Sequence, residues 1–109
     1  MYDYRCKVLR VIDGDTVEAD IDLGFDCHYI SSVRLQGINA PEITGANKQA
    51  GLDAKVALEN FLAPGNVIIM TTLRKDKDKF GRVLGVFMVN GVNVNQQMID
   101  GGHSVAYMT

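Results

Sequence analysis

Polar and apolar positions alternate along the first third of the chain. Val8-Leu9-Arg10-Val11-Ile12 is rich in β-branched residues, and Thr16-Val17-Glu18-Ala19-Asp20-Ile21-Asp22-Leu23 alternates strictly, with Asp13-Gly14 lying between the two runs. A period of two on both sides of a Gly-containing turn predicts a β-hairpin. A third strand is predicted over Tyr29 to Ile38, with Gly37 and Pro41 marking where the ladder ends and a loop running to about Asn47 begins. From Lys48 the period changes. Ala50, Ala54, Ala57, Leu58 and Phe61 recur at helical spacing, with Lys55 and Glu59 on the other side, until Pro64-Gly65 halts the pattern. Val67 to Leu73 and Val83 to Val89 are predicted as a second hairpin around a basic stretch, ended by Asn90-Gly91. Asn93, with Gln96 three residues on, predicts a capping box that opens a short helix, and Gly101-Gly102 closes it.

These elements predict a mainly β protein with helices (α+β): five strands, one long helix after strand 3 and a short C-terminal helix. An open five-stranded sheet would leave its edges bare, so the expected architecture is a small closed or nearly closed barrel of the OB-fold type. With 109 residues the chain fits a single domain spanning 1–109. A fold of this kind does not by itself name a function.

Composition narrows the classes. A content of 47% hydrophobic and 22% charged residues fits an ordinary globular chain and excludes disorder or a fibrous repeat. No apolar run approaches the roughly 20 residues of a membrane helix, and the start, Met1-Tyr2-Asp3-Tyr4-Arg5, lacks the basic-then-apolar pattern of a signal peptide. A membrane role is disfavoured and a cytoplasmic location favoured, with a secreted mature form left open. Cys6 and Cys27 have neither CxxC spacing nor a histidine pair, so two reduced, packed thiols are expected. His28 and His103 lack metal-ligand company and read as structural or exposed, and the five methionines read as core filler. No obligate protein partner is evident.

The net charge of −2 conceals an asymmetry. Residues 1–33 carry three basic and seven acidic side chains, whereas the segment Arg74 to Arg82 carries five basic and two acidic ones. An acidic wall facing a basic hairpin is what a cation site beside a phosphate site requires, although a charged hairpin also serves solubility alone.

Asp13-Gly14-Asp15-Thr16 is the first candidate for chemistry. Asp-x-Asp-x-Thr after an apolar strand also fits the nucleophile loop of haloacid-dehalogenase-like phosphatases. That fold requires a crossover helix and a parallel sheet, whereas here a strand follows the motif, so the rival fails on context and length. The second candidate is Val33-Arg34-Leu35-Gln36-Gly37-Ile38-Asn39-Ala40-Pro41-Glu42, and the third is the Lys79-Phe80-Gly81-Arg82 turn. Taken together, in this order and at these separations, the three segments resemble the staphylococcal nuclease (thermonuclease) family, whose members carry a D-G-D-T turn, an R-L-x-G-I-D-T-P-E-like segment and a D-K-Y-G-R-like turn. The resemblance runs from about Tyr4 to Tyr107 and includes a closing aromatic stretch. Many members of that family carry a further helix after the barrel, beyond the position of Thr109.

The resemblance implies that Asp15 and Asn39 are Ca2+ ligands together with the backbone carbonyl of Ala40, with Asn39 standing where the family has an aspartate. It implies that Glu42 activates the attacking water and that Arg34 and Arg82 grip the phosphate. Lys79 and Phe80 would contact substrate, the family's frequent tyrosine being replaced by Phe80. Tyr107 would either stack on a base or pack in the core. The chemistry agrees: a guanidinium fork matches two phosphate oxygens, and oxygen ligands without clustered His or Cys favour calcium over zinc. A neutral amide at Asn39 keeps the oxygen but loses a unit of attraction, so weak metal binding is expected. Two functions fit: a calcium-dependent nuclease acting on DNA and RNA with little sequence preference, or a catalytically weak or inactive nuclease-like domain that binds single-stranded nucleic acid.

Overall fold

The structure is a computed structural model and describes residues 2–41, 48–63, 67–72 and 83–106. Strands β1 (Tyr2–Asp13), β2 (Thr16–Gly24) and β3 (Cys27–Leu35) form an antiparallel meander. Strand β5 (Val67–Thr72) pairs antiparallel with the first half of β1, from Tyr2 opposite Thr72 to Lys7 opposite Val67, and β6 (Val83–Val89) pairs antiparallel with β5. The barrel closes where β6 runs parallel to β3 over three pairs: Val33 with Val83, Arg34 with Leu84 and Leu35 with Gly85. Helix α1 (Lys48–Phe61) and helix α2 (Val94–Asp100) complete this five-stranded mixed barrel, together with the short strands β4 (Ile38–Asn39), β7 (Val92–Asn93) and β8 (Val105–Ala106).

The alternating pattern builds the core directly. Val17, Ala19 and Ile21 of β2 point inward with Cys6, Val8 and Val11 of β1 and Val33 and Leu35 of β3, while Phe87 and Met70 fill the middle. Met98 of α2 joins them, so two methionines do serve as core filler, although Met88 is only half-buried. Burial pushes the Cys6 thiol up to about 12, with the charge of Asp20 adding to the effect. Cys27 departs from the expectation of two packed thiols, because it is exposed at the end of a β2–β3 hairpin that carries exposed Leu23, Phe25 and Ile30. His28 is exposed, with its Nδ1 2.8 Å from Asp20 Oδ1, and His103 is half-exposed. Among the described residues, no helix is long and apolar enough to cross a membrane.

Three differences from the sequence expectation have physical causes. Strand β1 starts six residues before Val8 because β5, distant in sequence, supplies its partner there. The third strand splits at Gly37, whose φ of 84° lies in the left-handed region, and Ile38–Asn39 then pairs separately with Val105–Ala106. Helix α1 buries Gly51, Ala54 and Leu58, followed by Leu62, so Ala50 lies on the exposed side; one residue of phase is about 100° around a helix. Half of the predicted capping box is present: Gln96 N donates to Asn93 Oδ1 at 3.0 Å, while the Gln96 side chain turns down the helix and donates from Nε2 to Asp100 Oδ1 at 3.0 Å.

Small residues on α1 let it press against the β1–β2 turn. A Cβ added at Gly14 would lie 2.7 Å from the Cβ atoms of both Ala40 and Ala54, closer than real carbons approach. Both neighbours are fixed to backbone and cannot swing away. Gly14→Ala should therefore lower stability by about 1–3 kcal/mol through overpacking, read as a reduced urea midpoint at unchanged slope. An unchanged midpoint would show that α1 does not pack against this turn.

Candidate functional site

Arg34 lies at the parallel seam, opposite Thr16 of β2 and paired with Leu84 of β6. Its neighbours Val33 and Leu35 are core residues, so strand alternation directs Arg34 to the outer face. Even there it is only 8% exposed. Its Nη1 stands 3.2 Å from Asp15 Oδ2, and its Nη2 donates to Asn39 Oδ1 at 3.4 Å. Asp15 gathers the rest. Oδ2 accepts the Ala40 N–H at 2.9 Å, Oδ1 accepts the Thr16 hydroxyl at 3.0 Å, and the backbone carbonyl accepts the Leu35 N–H at 2.8 Å.

The structure thus brings together four of the residues singled out in the sequence: Asp15, Arg34, Asn39 and Ala40. They arrive from three local devices. Asp15 sits in the two-residue turn between Asp13 and Thr16, Arg34 on β3, and Asn39 and Ala40 beyond the Gly37 break. Glu42, Lys79, Phe80, Arg82 and Tyr107 lie outside the described residues. Asp13 and Thr16 also belong to the cluster, with Asp13 Oδ1 accepting the Asp15 N–H at 3.2 Å. Both lie in the quoted turn motif, yet pattern alone assigns them only a turn role.

The two aspartates are driven apart electrostatically. Burial raises the Asp13 carboxyl to about 6, helped by a hydrogen bond with Asp15 and by repulsion from its charge. Burial alone would raise Asp15 as well. Hydrogen bonds from Asp13 and the Ala40 N–H, the charge of Arg34 and the Thr16 hydroxyl outweigh burial and hold Asp15 below the ordinary carboxylate value.

The donor chemistry fits a hard cation. Asp15 and Asn39 offer oxygen atoms that touch the same guanidinium, and Asp13 adds a second carboxylate crowded against the first. Among the described residues, no group of three or more His, Cys, Asp or Glu could by itself hold a metal ion. A cation here would depend on an amide and on backbone oxygens as well as on carboxylates.

The raised value at Asp13 sets a sign. A group whose folded-state value is raised contributes stability that is complete below pH 3.8 and lost as the pH rises through about 6. Asp13→Asn keeps an acceptor for the Asp15 N–H and never ionises. In metal-free buffer the variant should gain on the parent between pH 4 and pH 7, reaching about 1 kcal/mol above pH 7 after solvent screening. Urea midpoints across that range decide it, and a difference that does not change with pH would contradict the assignment.

Comparison with known proteins identifies the family. The family model described as staphylococcal nuclease homologue matches residues 32–109. A protein of Escherichia coli named an uncharacterized endonuclease is 33% identical over 106 residues, covering 96% of this chain and 62% of the relative. Endonuclease YhcR of Bacillus subtilis is 30% identical over 114 residues, covering 96% of this chain and 9% of the relative. The micrococcal nuclease of Shigella flexneri is 28% identical over 114 residues, covering 96% and 59%. The chain therefore spans about six tenths of the length of the first and third of these relatives. With the family model reaching from β3 to the last residue and the site's Asp15, Arg34 and Asn39 in contact, the chain belongs to the staphylococcal nuclease family.

Proposed function

We propose that this domain is a calcium-dependent nuclease that hydrolyses phosphodiester bonds of DNA and RNA with little sequence preference. The observation that carries the proposal is the outer-face cluster in which Asp15 holds Arg34 beside Asn39 and Ala40. A buried guanidinium fixed by a carboxylate is a preorganised donor for a polyanion, able to meet charge as it develops without reorganising. Family membership and nuclease-named relatives support the same class.

In this reading Asp15, the Asn39 side-chain oxygen and the Ala40 carbonyl hold calcium, and the neutral amide at Asn39 makes that binding weak. When bound, the ion supplies polarisation of the phosphate and a more acidic water. Arg34 and Arg82 take the phosphate oxygens, and their planar forks orient the group for in-line attack. Glu42 accepts the proton of the attacking water. Lys79 neutralises backbone charge, while the rings of Phe80 and Tyr107 accept bases by stacking. All of these groups address phosphate or the faces of bases, which accounts for low sequence preference. Asn39 also favours a second reading, a domain that binds single-stranded nucleic acid and cleaves little.

Digestion of single-stranded and duplex DNA and of RNA with calcium, with magnesium and with chelator distinguishes the two. The nuclease reading expects cleavage in calcium that chelator abolishes, and Glu42→Gln that still shifts DNA on a gel but cleaves on the order of 10²-fold more slowly. Binding without cleavage under every condition would establish the second reading. Cleavage by Glu42→Gln at the parent rate would remove Glu42 from its role.

A further inference from the structure

We propose that Asn95 is a positioning residue for this site, holding the turn that joins Arg34 to Asn39 at the spacing in which the two meet; the inference rests on the nuclease reading above. Asn95 lies on α2, is 4% exposed, and among the described residues its side chain hydrogen-bonds main-chain groups alone. Its Nδ2 donates to the carbonyls of Gln36 at 2.9 Å and Gly85 at 3.1 Å, and its Oδ1 accepts the Phe87 N–H at 3.1 Å. One buried amide thereby ties the end of β3 to β6 across the seam.

The placement matters because that seam is parallel. Among the described residues three residue pairs join β3 to β6, and they are parallel, so no hairpin holds them together locally. Past Leu35 the seam is continued by Gln36 N donating to the Gly85 carbonyl at 2.8 Å, the same carbonyl that Asn95 grips. Gly37 follows with φ of 84°. Arg34 lies two residues before Gln36, and Asn39 and Ala40 lie three and four residues after it. Any slip of the Gln36-Gly37 turn therefore moves Arg34 against Asn39 and Ala40 against Asp15. The Arg34 to Asn39 hydrogen bond, at 3.4 Å, has little margin. Misplacement of a reacting arrangement by about 1 Å costs on the order of 10²-fold in rate.

Asn95→Ala removes all three hydrogen bonds, and Asn95→Ser, which retains a single hydroxyl, serves where alanine prevents folding. Val8→Ala, a fully buried core truncation on β1 opposite Ala19, supplies a control of comparable instability. All are assayed well below their melting temperatures, for turnover and KM on single-stranded DNA and, without substrate, for the Arg34 Nε–H resonance. The Asn95 variant is expected to lose about 10- to 100-fold in kcat with KM little changed and to show a displaced Arg34 resonance. Val8→Ala keeps both readouts at parent values. A folded Asn95 variant with parent kcat and an unmoved Arg34 resonance overturns the proposal, because a purely structural amide would lower stability alone. If the parent protein does not cleave, the nuclease reading fails and the Arg34 resonance by itself decides whether Asn95 positions the turn.

Discussion

The buried carboxylate of Asp15 is the constraint around which the molecule is arranged. A charge at this depth is tolerated only if its lone pairs are filled and a counter-charge stands beside it; removing one partner of such a pair typically costs about 3–5 kcal/mol. Arg34, Thr16 and the Ala40 N–H meet that demand, while the Asp15 carbonyl takes the Leu35 N–H. The same contacts draw the β1–β2 turn, the end of β3 and the segment after Gly37 to one point. What keeps the charge satisfied also assembles the candidate site, so under the proposed function stability and chemistry rest on the same residues.

That point coincides with barrel closure. Because β3 and β6 meet in parallel at Arg34 and Leu84, the closing strands can present an inward apolar residue on either side of an outward guanidinium. Helix α1 completes the support by pressing Ala54 onto Gly14, next to Asp15 in sequence, so the turn is backed by a rigid element rather than by solvent. Helix α2 supports the opposite side of the seam through Asn95. Loops that carry function need this kind of scaffold.

Local physics made much of the fold legible in the sequence. Strand β6 was readable because Val83 to Val89 is an apolar run that the Asn90-Gly91 turn ends, and the Asn93 cap was readable because its partner, the Gln96 N–H, is three residues away. Features set by distant segments were not. The first half of β1 depends on β5, and the phase of α1 depends on Gly51, a residue that apolar counting passes over. Exposure of Cys27 depends on how far the β2–β3 hairpin extends. In the site, Asp15, Arg34 and Asn39 were readable through the order of motifs, not through periodicity. Asn95 was not readable, since its partners Gln36 and Gly85 stand 59 and 10 residues away and bind through main-chain groups that carry no residue signature.

The shared role of Asp15 is open to direct measurement. Asp15→Asn is nearly isosteric and retains an oxygen for hydrogen bonding, so it removes the charge with little change of shape. Circular dichroism establishes the temperature range in which the variant is folded, and cleavage of single-stranded DNA in calcium is then measured within it. The account predicts a lower melting temperature and turnover reduced by on the order of 10²-fold or more, since the counter-charge of Arg34 is lost and, in the proposed calcium site, a charged oxygen ligand with it. A folded variant that cleaves at the parent rate with the parent calcium requirement would contradict it.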